Sequence, residues 1–322
     1  MPPWPRWGLV AERDPVIAAN PSRDRAIGSL VGLAVGDAVG TTVEFLPRGS
    51  YPPVTDMVGG GRFRLAAGQW TDDTSMALCL AESLMANPEC DQTDLMRRFH
   101  AWAADGVNSS TGKCFGIGRT TLRAIGHFHK TGVAVAGPTH ANDAGNGSIM
   151  RLAPAAVRWW RQPEFAELIA ERQSVTTHGA AEAVAGCSLL ARVLCRAIGG
   201  NGWDSIFVAD ERWPSVINAL GQGACINRSE ADISSSGYVV HTLEAAYWAC
   251  KRSSNFEEAI LTAANLGNDA DTVAAVVGQI AGAVWGFSAI PTRWVERLHE
   301  SKRIQELAAA LYDAGEQTSM VA

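Results

Sequence analysis

Glycine recurs every fourth residue in two separate segments of this 322-residue chain. Gly28, Gly32, Gly36 and Gly40 form one series, and Gly278, Gly282 and Gly286 the other. A glycine inside a helix costs up to about 1 kcal/mol relative to alanine, so four on one stripe call for compensation. Small residues at i and i+4 make a flat face that lets a neighbouring backbone approach closely. The two segments are therefore expected as central, tightly packed helices, with each other as natural partners.

Helical patterns dominate from Arg23 onward, over 23–39, 74–86, 91–104, 116–130, 148–160, 164–173, 179–198, 237–252, 255–266, 271–286 and 300–314. Ala-rich amphipathic composition supports most of them. Start signals stand at Asp91–Asp94 and at Ser254-Asn255 before Phe256. The one β hint, Tyr51 to Val58, is broken by two prolines. Residues 199–236 read as an irregular excursion around one short helix. Length alone suggests roughly two domains at about 150 residues each, but no linker separates two cores. The expected architecture is an extended N-terminal arm over 1–22 and a single compact all-α domain over 23–315.

Several classes fall away. Hydrophobic residues at 47% argue against disorder. A net charge of −6 argues against general nucleic-acid binding. The seven cysteines are odd in number, lack CxxC spacing and read as reduced core residues of a cytoplasmic protein. The Pro-rich N-terminus carries no signal-peptide pattern. Val273 to Ile290 holds no charge over 18 residues, long enough to test as a span. Its glycines, Gln279 and Ser288, and the preceding aspartates, favour a buried core helix.

The chemistry concentrates in acidic motifs. Trp70-Thr71-Asp72-Asp73-Thr74 precedes an apolar helix; one aspartate there serves as a cap, but two adjacent ones repel. Gly267-Asn268-Asp269-Ala270-Asp271-Thr272 is expected at a loop–helix junction, with Asp269 in the loop and Asp271 and Thr272 in the first turn. Glu44 follows the first glycine helix. Asp37, within that helix, reads as a structural partner for a nearby backbone N–H, since a lone buried charge is costly. If both glycine helices approach one site, they run antiparallel.

Glu44, Asp72, Asp73, Asp269 and Asp271 make an all-oxygen set, with Thr71 and Thr272 as neutral donors. Five carboxylates cannot remain ionised together without cations. Oxygen ligands favour Mg²⁺ or Mn²⁺, and their number suits two ions, which together polarise a substrate and activate a water. Gly59–Gly61 and Gly145-Asn146-Gly147-Ser148, the latter opening helix 148–160, could cradle phosphate oxygens or be plain turns. His140 and His178 read best as satisfied structural histidines near loop boundaries.

The ordered motifs resemble the ADP-ribosylglycohydrolase family, the DraG-like hydrolases. They are Gly36-Asp37-Ala38-Val39-Gly40 with Glu44-Phe45, Gly68 to Thr74, Gly145 to Arg151, Thr177-His178 and Gly267 to Thr272. The resemblance spans about Arg23 to Gly286. It implies a compact all-α orthogonal bundle with two Mg²⁺ (or Mn²⁺) and hydrolysis of the bond joining ADP-ribose to an acceptor, releasing ADP-ribose. Acceptors would be protein side chains such as arginine or serine, or other ADP-ribosylated groups, including modified nucleic acid. By the same resemblance Thr71, Asp72, Asp73, Asp269, Asp271 and Thr272 are the metal ligands. Glu44, with Asp72 and Asp271, is catalytic, as acid, base or positioner. Gly60, Asn146, Gly147, Ser148 and His178 hold ADP-ribose.

One position departs from the pattern. Many resembling members carry an acid where Gly116 stands, near the guanidinium in arginine-specific ones, so this chain is expected to favour serine-linked, nucleic-acid-linked or free ADP-ribose substrates. The alternatives are a binuclear hydrolase of a related nucleotide-sugar and a non-enzymatic ADP-ribose-binding protein. Clustered carboxylates speak against the last.

Overall fold

The structure is a computed structural model that describes residues 20–321. Residues 1–19 of the expected arm lie outside that range. Its last residues are not extended: the Asn20 side chain accepts the Arg23 amide at 3.1 Å and caps a helix that starts at Pro21. In chain order the helices are α1 (Pro21–Gly40), α2 (Asp72–Ala86), α3 (Gln92–Asp105), α4 (Arg119–Thr131), α5 (Ala153–Trp159), α6 (Pro163–Ser174) and α7 (Ala181–Ile198). There follow α8 (Trp203–Ile206), α9 (Ser215–Gly221), α10 (Val239–Arg252), α11 (Phe256–Ala264), α12 (Ala270–Trp285), α13 (Thr292–Arg297) and α14 (Ser301–Val321). Among the described residues no strand forms, and the Tyr51–Val58 hint is irregular chain.

The glycine stripes meet. Helices α1 and α12 run antiparallel, so that Gly28 faces the carbonyl of Gly282, Gly32 that of Gly278, Gly36 that of Ala274 and Gly40 that of Ala270. A β-carbon at any of these four glycines would collide with the opposing backbone. Every residue from Ala26 to Gly40 and from Ala270 to Ala283 is buried, the mark of core helices. Helices α2, α5, α7, α10, α11 and α14 pack around the pair. Gly286 departs from the stripe. It ends α12 with φ +87°, a conformation that favours glycine, beside the Asp24 carboxylate that accepts the Ser288 amide at 2.9 Å. The uncharged stretch 273–290 is thus broken at Gly286, and among the described residues no helix is long and apolar enough to cross a membrane.

The start signals act as expected: Asp91 accepts the Thr93 and Asp94 amides, and Asn255 accepts the Glu258 amide while Glu258 accepts that of Ser254. Three boundaries differ usefully. Helix 116–130 begins only at Arg119, because Gly116 has φ +77°. Helix 148–160 begins only at Ala153, because the chain first turns at Asn146, whose carbonyl accepts the Ile149 and Met150 amides. The last helix runs to Val321 instead of residue 314. Within 199–236 the chain forms α8, α9 and a 3₁₀ turn at Glu230–Asp232, more than the one short helix expected.

Candidate active site

The antiparallel pair places the C-terminal end of α1 beside the N-terminal end of α12. The loops beyond them are joined: the Phe45 amide donates to the Asn268 carbonyl at 2.6 Å, and the Asn268 amide to the Leu46 carbonyl at 2.7 Å. Both Phe45 (φ +67°) and Asn268 (φ +56°) are held in left-handed conformations, strained for residues with side chains. This brace sets Glu44 against Asp269 and Asp271.

Asp37 positions the second acidic motif. It is wholly buried, and its carboxylate accepts the Thr71 amide at 2.9 Å and hydroxyl at 2.8 Å, then the Thr74 amide at 3.0 Å and hydroxyl at 2.7 Å. The N-terminus of α2 is thus capped from α1, the structural role expected of Asp37. Asp72 and Asp73 sit in the first turn of α2, not before it, and are spared capping duty.

The acids converge. Oxygens of Glu44, Asp269 and Asp271 lie within 4.8 Å of one another, as do oxygens of Asp72, Asp73 and Asp271, so Asp271 belongs to both groups. Thr71 Oγ1 stands 3.4 Å from Asp271 Oδ2, and Thr272 Oγ1 3.5 Å from Asp73 Oδ1. Glu44 Oε2, Asp73 Oδ2 and Asp271 Oδ1 are buried without a hydrogen-bond partner.

Burial pushes every one of these groups up. Glu44 is raised to about 9 by burial and then by Asp72 and Asp269. Asp72 is raised to about 7 by burial and then by Asp37. Asp73 and Asp271 are raised well above the usual range by burial and by the neighbouring acids, and Asp269 is raised by burial. Orphaned oxygens on crowded, desolvated acids are what a hard cation satisfies, so the residues fit a metal.

Above the acids lies a cavity of about 240 Å³. Glu44, Asp72, Asp269, Asp271 and Thr272 line it together with Asn146, Gly147 and His178. Asn146 Nδ2 donates to Asp269 at 2.6 Å and to Thr242 at 2.9 Å. The His178 ring lies against Gly147, where a β-carbon would come 2.6 Å from Cε1. Burial holds its pKa down at about 3, so it is neutral. Its Nδ1 is 2.9 Å from Thr177 Oγ1, which accepts from the wholly buried Arg151 at 2.8 Å.

The family model described as ADP-ribosylglycohydrolase matches residues 18–319. The chain belongs to the ADP-ribosylglycohydrolase family. It is an enzyme, a hydrolase of the glycosidic bond of ADP-ribose. It is 45% identical over 97% of its length to the protein named ADP-ribosylarginine hydrolase Tri1 of Pseudomonas putida (strain GB-1), covering 84% of that protein. It is 34% identical over 85% of its length to the ADP-ribosyl-[dinitrogen reductase] glycohydrolase of Rhodospirillum rubrum, covering 90% of it. A solved structure titled ADP-ribosylglycohydrolase-related protein complex superposes with a TM-score of 0.81 at 40% identity, covering 92% of this chain and 99% of the other.

Two of the residues expected to hold ADP-ribose do not line the cavity of this glycohydrolase. Gly60 does not line it, and the Gly60 amide is spent on the Leu65 carbonyl at 2.8 Å. Ser148 is wholly buried, and its hydroxyl accepts from Ser174 at 2.9 Å. The turn at Asn146 lies ahead of α5, so Gly145 to Ser148 do not open that helix. His140 is exposed and accepts the Asn142 amide instead.

Other lining residues went unread in the sequence. Arg119 and Thr121 come from the start of α4, and Gly237 from the loop just before α10. The Gly237 carbonyl accepts the Asn146 amide at 3.0 Å, and the neighbouring Ser235 carbonyl accepts that of Asp269 at 3.0 Å. Ser235-Ser236-Gly237 has the composition of a turn, the only local signal. Gly116 has a steric cause: its φ is +77° and a β-carbon would stand 2.6 Å from Asp72 Oδ1. The left-handed backbone at 116 thus favours glycine on local grounds.

Proposed function

We propose that this glycohydrolase removes ADP-ribose from arginine side chains of proteins, using two Mg²⁺ or Mn²⁺ ions, and that residues 23–315 form its single domain. The observation that carries the reading is the membership of Asp271 in both acidic groups, beside Glu44 and facing the cavity. Arginine as acceptor is supported by relatives 45% and 46% identical that are named ADP-ribosylarginine hydrolases. The cytoplasm suits seven cysteines that are all free. General nucleic-acid binding is not expected at a net charge of −6.

Thr71, Asp72, Asp73, Asp269, Asp271 and Thr272 would hold the ions. Bound there, the ions would neutralise the acids and polarise oxygens of the sugar. Asn146, tied to Asp269, and the neutral His178 ring orient ADP-ribose across the cavity. Glu44 accepts a proton from the attacking water as its oxygen bonds to the anomeric carbon. The bond from that carbon to the guanidinium nitrogen breaks, its electron pair stays on nitrogen, and the departing guanidine takes the proton back. Glu44→Gln should therefore lower kcat by about 10²–10⁴.

The test is release of ADP-ribose from a panel modified at arginine, serine, cysteine or DNA ends, with Mg²⁺, Mn²⁺ or EDTA. Metal-dependent release from arginine is expected. Two ions bound per chain with no release from any acceptor would favour a nucleotide-sugar substrate, and no bound metal a binding protein.

A further inference from the structure

Phe45 is an apolar ring placed where folding alone gives no reason to place one. It is 52% exposed, it lines the cavity next to Glu44, and its backbone is in the left-handed region at φ +67°. Strain retained at a site is a pointer to function when the surroundings enforce it. Here the bond from the Phe45 amide to the Asn268 carbonyl does so. Behind it, Phe63 meets Phe45 edge-on with centroids 6.4 Å apart, and Phe115 meets Phe63 at 5.1 Å. The ring is thus buttressed by Phe63 and stays half exposed at the cavity.

One observation shows what the ring face takes. The guanidinium of the exposed Arg62 lies over the Phe45 ring, 5.1 Å from its centroid. Aromatic faces attract cations through the ring quadrupole, and arginine is the commonest partner. A ring that holds a guanidinium from its own chain, at the mouth of a cavity whose acids cleave at Glu44, is suited to hold one from a substrate.

The geometry points to Phe45 as the platform on which the acceptor's guanidinium stacks, exchanging with Arg62 when substrate enters. This rests on the arginine reading above. It gives that reading a recognition element that needs no acid at position 116: the cation is selected by a π face. The carboxyl group of Glu44, one residue away, is then adjacent to the nitrogen that must leave. Arg62 in turn keeps the face covered by a competing cation until substrate arrives.

The experiment uses the full chain and three variants. Phe45→Leu keeps an apolar side chain and removes the π face; Phe45→Trp keeps the face; Arg62→Gln removes the competing cation. The readouts are KM for ADP-ribosylarginine, the inhibition constant of agmatine as a guanidinium probe, and the inhibition constant of free ADP-ribose. Phe45→Leu should raise KM and weaken agmatine by about 3- to 30-fold, with ADP-ribose inhibition unchanged. Phe45→Trp should match or improve on the parent, and Arg62→Gln should lower KM. Equal weakening of agmatine and ADP-ribose, no change in Phe45→Leu, or a Trp variant as poor as Leu would overturn the platform. An unchanged or raised KM in Arg62→Gln would overturn the exchange. If the parent chain fails to hydrolyse ADP-ribosylarginine at all, the arginine reading itself has failed, a result distinct from these.

Discussion

Asp37 on α1 caps α2: its two carboxylate oxygens take the amides of Thr71 and Thr74 at 2.9 and 3.0 Å. This one buried side chain holds the N-terminus of the helix that carries Asp72 and Asp73, and leaves those two acids free to face the site. Hydrogen bonds to charged groups contribute about 1.5–3 kcal/mol each, and buried donors left unmet cost about as much. Asp37→Ala should lower unfolding free energy by about 3 kcal/mol or more in urea denaturation. It should also weaken Mn²⁺ binding, measured by calorimetry, although Asp37 is not among the residues proposed to hold an ion.

The glycine seam predicts a contrast between two substitutions of the same kind. Gly32→Ala places a methyl against the Gly278 carbonyl, and backbone overpacking of this sort costs about 3 kcal/mol or more. Gly126→Ala, within α4, meets nothing within 4 Å and should stabilise by about 0.5–1 kcal/mol. Chemical denaturation of the two variants side by side checks the seam.

The acidic cluster makes the metal-free protein sensitive to alkali. Glu44 rises from 4.5 to about 9 and Asp72 from 3.8 to about 7. The folded state therefore binds more protons than the unfolded one between about pH 4 and pH 9. Stability then falls as pH rises through that window. Melting temperature in EDTA should drop from pH 5 to pH 9, and saturating Mg²⁺ should flatten the slope by favouring the ionised acids. A melting temperature in EDTA that climbs with pH would contradict the arrangement.

Asp271 should be separable from its neighbours because it belongs to both acidic groups. Asp271→Asn should abolish the Mg²⁺-induced rise in melting temperature and lower kcat by about 10³ or more. Asp73→Asn, which touches one group, should leave a partial response. At pH 8 without metal, Asp271→Asn should melt above the parent, since it removes one member of a mutually repelling set. Differential scanning calorimetry of both variants, with and without metal, distinguishes these outcomes.

Legibility differed among residues for physical reasons. The glycine stripes and the acid motifs are local patterns, and each announced its own environment: close backbone approach in one case, a need for cations in the other. Asp37 was readable because a charge in an apolar helix must have a partner. Gly60 and Ser148 were ambiguous because a glycine-rich or helix-opening string is compatible with both a plain turn and a ligand cradle. In the folded chain the Gly60 amide and the Ser148 hydroxyl had found partners of their own. Arg119 and Gly237 were invisible as site residues, since each is brought to the cavity by a chain segment distant in sequence from the acids, and Phe45 stood beside Glu44 in the motif without any local sign that its ring is exposed at the cavity.

The sequence by itself determined that the chain would be helical, that two glycine-striped helices would lie at its centre, and that acids from separate segments would need a cation. These follow from short-range chemistry: periodicity, backbone clearance and charge repulsion. Only the tertiary structure decided which acid is shared, that α2 is capped from α1, that position 116 takes a left-handed backbone beside Asp72, and that an exposed ring flanks Glu44. Those outcomes depend on contacts between α1, α2, α4 and α12 that no local pattern encodes, because they are set by where the antiparallel pair puts its ends.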